Sequence, residues 1–431
     1  MSIESPKLTN FQRYMTLFIV AFAAGVIFKV AYLREVFYEP LMQGLGVTHT
    51  ELGLLSGAYG FTSMFFYFPG GIIADKFSPK KLVVSALLLT AALTFWYATI
   101  PSYYSVVAIM AGFAVSTILI FWAAMNKTFN FLGGEDSQGR MFGYAEGIKC
   151  ASGLVASFGA LWILEQATSA MGGLQSTLIF YGIVYVVIAI LAFIFMPDIK
   201  SQSEQSEEQF SFALLVQTLK LPAVWFVTLI IFSCYSIYAL QSYTTPYMQG
   251  LGVSTALVGM VGIIRQYGIG LLSSPIGGFI GDKIGSSSKA IIGSLILVAV
   301  CTFAIKFAGT DISHYFLIAM VICIAFMIFI CRGIYFATMK EAQIPSSVTG
   351  SAIGFISVIA FTPDLYIYAQ VGSWLDSYPM DVAYDMVWNY ILLNVALAIF
   401  AGFGIIRCAK KAKQKASQTA LENELESGAA K

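Results

Sequence analysis

PGGIIADKFSPKK, at Pro69–Lys81, and PIGGFIGDKIGSSSK, at Pro275–Lys289, carry the same frame, Gly-Gly-x-x-x-Asp-Lys, in two distant parts of one chain. A second echo runs in register with the first. MQGLGV stands at Met42–Val47 and again at Met248–Val253, each copy two residues after a proline, Pro40 and Pro246. The two offsets agree to within one residue, so both the order and the spacing of the motifs are duplicated, which marks an internal repeat.

The duplicated unit is apolar. The chain has 431 residues, 58% hydrophobic and 11% charged, whereas a soluble domain carries about 25% charged residues. Mean hydropathy is +0.78. Lipid is the natural solvent for a fold this poor in charge, and backbone in lipid must satisfy itself, as helices or as a closed barrel. A barrel needs alternating strands. LVVSALLLTAALTFWYAT (Leu82–Thr99) does not alternate, so the expected fold class is an all-α membrane protein.

Apolar runs predict twelve spans. The first six are Tyr14–Phe37, Leu52–Ala74, Lys81–Thr99, Tyr104–Asn126, Met141–Glu165 and Gln175–Met196. The second six are Ala223–Thr245, Ala256–Ile280, Lys289–Ala308, Tyr315–Thr338, Ser351–Ser373 and Asp385–Ile406. Between them lies DIKSQSEQSEEQFS (Asp198–Ser211), polar and acidic. The expected organisation is therefore an N-terminal six-helix bundle over 1–197, a cytoplasmic linker over 198–220, a C-terminal bundle over 221–408 and a cytoplasmic tail over 409–431. With the N-terminus in the cytoplasm, the inner loops and tails hold Lys7, Arg13, Lys76, Lys80, Lys81, Arg140, Lys200, Lys220, Lys283, Lys289, Lys340, Arg407 and the tail lysines, while the outer loops hold no Lys or Arg. That asymmetry places both termini inside. The first apolar run is too long for a cleaved leader. The six cysteines read as small packing residues.

The motif Gly-x-x-x-Asp-[Lys/Arg] between the second and third helices resembles the signature of the major facilitator superfamily, here on Gly71, Asp75, Lys76, Lys80 and Lys81. Its echo is Gly278, Asp282, Lys283 and Gly285. The resemblance implies two pseudo-symmetric six-helix bundles and a transporter that rocks about a site between them. It also implies that Gly71, Asp75, Lys76, Lys80, Gly278, Asp282 and Lys283 form a cytoplasmic gate. Ser78-Pro79 replaces the family's usual glycine, and DKFSPKK looks like the variant found in organophosphate transporters, the branch this chain most resembles.

Charges inside the spans carry the functional reading, since each costs at least about 2.5–3.5 kcal/mol at mid-helix and such residues usually face a cavity. They are Lys29, Arg34 and Glu35 in the first helix, Lys127 in the fourth, Glu146 and Lys149 in the fifth, Arg265 in the eighth, Arg332 in the tenth and Asp364 in the eleventh. Cations predominate, so a cavity lined this way attracts an anion. Organophosphate transporters place a phosphate-binding arginine in the first helix, which Arg34 or Lys29 resembles, and a cavity histidine where Lys149 stands. They place a second arginine in the seventh helix. Here YSIYALQSY (Tyr235–Tyr243) offers Tyr235, Tyr238 and Gln241 instead, which favours a carboxylate or sulfonate over a phosphate. Glu146 and Lys149 share a face and can neutralise each other. Arg332 and Asp364 can pair likewise.

The expected function is secondary active transport of a small organic anion, such as a sugar acid, sugar phosphate or sulfonate, across a bacterial-type inner membrane. The anion contacts are Lys29, Arg34, Lys149, Arg265, Arg332, Tyr235, Tyr238 and Gln241. The carboxylates Glu35, Glu146 and Asp364 are candidates to carry a coupling proton in symport. No P-loop, GxSxG, HExxH or EF-hand pattern occurs, so no enzyme activity, cofactor, metal site or nucleic-acid partner is expected, and the protein is expected to act as a monomer. The rivals are a multidrug or neutral-sugar transporter of the same fold, and a non-transporting membrane sensor.

Overall fold

The computed structural model describes residues 9–198, 220–309, 312–344 and 349–429. Most of the expected linker, and the side chains of Gly71, Asp75 and Arg140, lie outside the described residues.

The chain is helical nearly throughout. Among the described residues, ten stretches are long and apolar enough to cross a bilayer, from Pro79–Ala98 to Met380–Lys411. The first two expected spans precede them. One is built from Asn10–Val26, a 3-10 turn at Leu33–Glu35 and a short helix Tyr38–Leu45, and the other is the single helix His49–Lys76. The twelve-span architecture is consistent with this order. One expected break is helical instead: Ala123–Glu165 runs unbroken through the loop expected between the fourth and fifth spans. Met380–Ala429 carries the last span into the tail.

The MQGLGV repeat is a helix stop followed by a helix start. Gly46 takes φ 65° and Gly252 φ 83°, left-handed backbone that suits glycine. Val47 N–H donates to the Met42 carbonyl at 3.2 Å, and Val253 N–H donates to the Met248 carbonyl at 3.0 Å. That bond closes over the left-handed residue and satisfies an orphan carbonyl of the ending helix. The next residues, Thr48 and Ser254, cap the following helices by accepting from Glu51 N–H and Leu257 N–H. The duplicated sequence therefore encodes a duplicated turn.

The Gly-Gly motif has a different role. A Cβ on Gly70 would lie 3.0 Å from the Leu119 carbonyl oxygen, and one on Gly277 would lie 2.8 Å from that of Ile330. The first glycine of each pair therefore sets a close helix approach. Around Gly278 the space is open.

The chain divides into two compact units. The first gathers 1–206 with 242–271 and 364–384, and the second gathers 207–241, 272–363 and 385–431. Two of the boundaries, Gln241/Ser242 and Pro363/Asp364, fall where helices are interrupted. Pro222–Leu240 gives way to a 3-10 turn at Gln241–Tyr243, and Thr349–Ala360 ends one turn before Pro363 opens the helix Pro363–Ser377. Proline cannot continue the ladder, which frees carbonyls of the preceding turn.

Candidate functional site

Charged side chains of the first unit cluster where helices depart from α geometry. Arg34 and Glu35 sit in the 3-10 turn Leu33–Glu35. Arg265, Gln266 and Tyr267 occupy a π-helical stretch, Ile264–Gly268. Such irregular turns re-aim side chains and recur at functional sites.

Arg34 is 2% exposed. Its Nη1 donates to Ser56 Oγ at 3.2 Å and its Nη2 to Ser242 Oγ at 3.5 Å. Its guanidinium carbon lies 4.1 Å from the Tyr368 ring centre, 4.9 Å from Tyr243 and 5.4 Å from Tyr38. The aromatic faces supply favourable electrostatics to a cation that has left water. Tyr243 donates to the Tyr368 carbonyl at 2.5 Å, and Tyr384 donates to the Tyr243 carbonyl at 3.0 Å, which fixes this cage.

Arg265 meets Glu35. Its Nη2 lies 3.6 Å from Glu35 Oε2 and donates to the Glu35 carbonyl at 2.7 Å, and both side chains are buried. Glu35, a candidate proton carrier, is therefore held by a cation. Lys29, 4% exposed, directs Nζ onto the face of Tyr267, 2.7 Å from the ring centre. No carboxylate of a described residue pairs with it.

Lys149 and Glu146 take up the mutual pairing, Nζ to Oε2 at 2.9 Å, on a partly exposed surface. Lys127 donates to the Ala74 carbonyl at 3.0 Å, so it caps the end of the helix His49–Lys76. Asp364 lies beside Gly60, where an added Cβ would meet the Asp364 Cβ at 3.0 Å.

In the second unit Arg332 stacks on Tyr238, 3.7 Å from its ring centre, with Phe329 at 5.4 Å. Tyr335 and Tyr235 are its other electrostatic neighbours. Tyr235 packs edge-on against Phe361 at 4.7 Å, and Gln241 is 1% exposed. Asp282 and Lys283 are exposed at the end of the helix Ile269–Ile284. Glu341 binds the start of the next helix, accepting from Ser286 Oγ at 2.5 Å and Ser288 N–H at 2.8 Å.

Sequence reasoning missed the tyrosine cage of Arg34 and a contact at the MQGLGV end of the first unit. There the Asp376 carboxylate accepts from His49 N–H at 3.1 Å, Thr50 N–H at 2.8 Å and Thr50 Oγ1 at 2.5 Å. It caps the start of the helix His49–Lys76 from a partner hundreds of residues away. Beneath it the two helices touch through backbone. A Cβ on Gly53 would come within 2.3 Å of the Tyr368 carbonyl oxygen, and one on Gly372 within 2.3 Å of that of His49. Nothing local in the sequence signals this pairing.

A family model described as Major Facilitator Superfamily matches residues 11–362. Inner membrane protein YqcE of Escherichia coli is 30% identical over 419 residues, covering 95% of this chain and 99% of that protein. Inner membrane protein YihN of the same organism is 25% identical over 380 residues, covering 86% and 90%. Among solved structures, a bacterial homolog of the human lysosomal transporter Spinster, inward-facing and unoccupied, matches with TM-score 0.72 at 12% identity over 94% of this chain and 98% of that one. A mutant of the nucleoside transporter NupG matches with TM-score 0.68 at 13% identity over 93% and 100%.

Proposed function

The chain belongs to the major facilitator superfamily, and from that premise we propose that it is a secondary active carrier of a small organic anion in an inner membrane, working by alternating access with proton symport. One observation carries the anion reading. Lys29 and Arg332 are cations within the spans whose contacts are tyrosine faces, with no carboxylate of a described residue in an ion pair to either. An unneutralised charge withdrawn from water is costly, and an anionic guest offsets that cost. Tyrosine faces and hydroxyls suit the body of a sugar-like acid or sulfonate.

Glu35 and Glu146 are each engaged by a cation. Asp364 lies among the hydroxyl-bearing rings of Tyr59, Tyr67 and Tyr368, in the first turn of the helix that follows the Phe361–Thr362 break, and it is the coupling carboxylate we favour. Alternating access is supported by membership of the major facilitator superfamily, and the interrupted helices at Gln241–Tyr243 and Phe361–Thr362 are where the chain would flex.

The deciding experiment screens purified protein for thermal stabilisation by sugar acids, sugar phosphates, sulfonates, neutral sugars and cationic drugs, then measures uptake of the best ligand in proteoliposomes. An anion should stabilise, and Lys29→Ala and Arg332→Ala should each abolish that gain. Stabilisation by neutral sugars or cationic drugs alone overturns the reading.

A further inference from the structure

Trp122 closes the π-helical stretch Val115–Trp122 in the fourth span. A π turn inserts a residue and re-aims the side chains that follow it, and such turns recur at functional sites. Here the indole meets rings from two other spans. The Phe28 ring centre lies 6.3 Å away at 75°, and that of Tyr67 lies 6.4 Å away at 90°. Phe28 is itself set edge-on against the buried ring of Phe121 at 6.2 Å. Edge-to-face pairs of this kind hold aromatic rings in a defined orientation. The indole is braced, yet 39% of it is exposed, and Tyr67 is 52% exposed.

Two observations tell what that open surface meets. The first is depth. Phe28 adjoins Lys29 between the helix Asn10–Val26 and the turn Leu33–Glu35, midway along the first span. Trp122 therefore stands away from the interfacial belts, where tryptophan anchors a helix at the headgroups. The second is its polar company. One turn on, Asn126 shares the face of Trp122 and donates its side-chain amide to the Trp122 carbonyl at 3.0 Å. Tyr67 has the Asp364 carboxylate as an electrostatic neighbour. Lys29, next to Phe28, has Lys149 as another. Ammonium, carboxylate and amide groups gathered about one aromatic surface belong to a water-filled cavity, because lipid penalises each of them.

We propose that Trp122, braced by Phe28 and Tyr67, is the platform on which the ring of a cyclic anion stacks, so that the carrier takes pyranose acids in preference to open-chain acids of equal charge. This rests on the anion reading of Lys29 and adds a shape to it. A pyranose has a flat C–H face of partial positive charge, which suits the negative face of an indole. Its rim carries hydroxyls, which suit the Tyr67 hydroxyl and the Asp364 carboxylate. Because Lys29 and Phe28 are consecutive, the acid group and the ring are met by neighbouring residues. An open-chain acid reaches the lysine but presents no face to the indole, and it loses more internal rotation on binding. Trp122 selects ring over chain, and Lys29 selects charge.

Thermal stabilisation of the full-length protein by three probes tests this. Methyl β-D-glucuronide is a locked ring with one negative charge, D-gluconate is an open chain with the same charge, and methyl β-D-glucoside is the ring without charge. The wild type should bind the glucuronide with a midpoint about tenfold below that of gluconate. Trp122→Ala should erase that preference by weakening the glucuronide alone, and Trp122→Phe should keep part of it. Equal midpoints for the two anions in the wild type, or a loss in Trp122→Ala shared by both, overturn the platform and leave the anion reading standing. A glucoside that matches the glucuronide, and that Trp122→Ala weakens, keeps the platform and overturns the anion reading. A second measurement needs no ligand. In proteoliposomes the emission of Trp122, taken as wild type minus Trp122→Phe, should be quenched by aqueous acrylamide and spared by brominated lipid. Quenching by the lipid instead places the indole against the bilayer and overturns the platform.

Discussion

A lysine ammonium laid on a tyrosine ring, as Lys29 is on Tyr267, gains from the ring's negative face only about 0.5–2 kcal/mol, less than its desolvation costs. Lys29→Gln should therefore raise the melting temperature of the ligand-free carrier while abolishing anion uptake. A parallel loss of both stability and uptake in the scan and the uptake assay would make Lys29 structural. Glu35 is the opposite case. Both members of its pair with Arg265 are buried, and removing one partner of such a pair costs about 3–5 kcal/mol because the other charge is stranded. Glu35→Gln should be severely destabilised, and Glu35→Gln with Arg265→Gln should recover much of the loss, as read by thermal unfolding of the three proteins. These charges were legible in the sequence because an ionisable residue in a span stands out from its neighbours. Their tyrosine partners were not. Aromatics make up 15% of the chain, and nothing local separates the caging Tyr38, Tyr243 and Tyr368 from rings such as Tyr104 and Tyr315 that face outward.

At the scale of elements, the turns are written locally and the helix contacts are not. Gly46 and Gly252 could be read from the MQGLGV repeat because a helix stop needs left-handed backbone at one position and a cap two residues on. The meeting of the helices His49–Lys76 and Pro363–Ser377 could not, because its determinants are absent side chains, at Gly53 and Gly372, on segments far apart in the chain. Gly53→Ala should cost about 1–3 kcal/mol or more, as overpacking does, since the new methyl group would meet the Tyr368 carbonyl oxygen at 2.3 Å. Gly143→Ala, where the space is open, should be neutral or slightly stabilising in the same thermal assay. Asp376→Ala should cost about 1 kcal/mol by uncapping the helix start.

At the scale of the whole molecule, the first compact unit takes in 242–271 and 364–384 as well as 1–206. That grouping rests on contacts between segments hundreds of residues apart, which no local sequence pattern records. Two predictions belong here. Burial, with Arg34 adding to it and Asp376 and Glu39 opposing, holds the His49 imidazole below its ordinary 6.5. The unfolded chain therefore takes up that proton first, and stability should fall as pH drops from 6.5 toward the lowered value. His49→Gln should flatten that stretch of the melting-temperature curve. Uptake driven by an acid-outside pH gradient should be lost in Asp364→Asn, while substrate exchange across two loaded compartments persists. The backbone contacts at Gly53 and Gly372 make a joint of a particular kind. Two main chains pressed together have no rotamers to relax and no long side chain to stretch, so the junction cannot yield by degrees. The joint therefore behaves as a snap fastener rather than a spring, either seated or open.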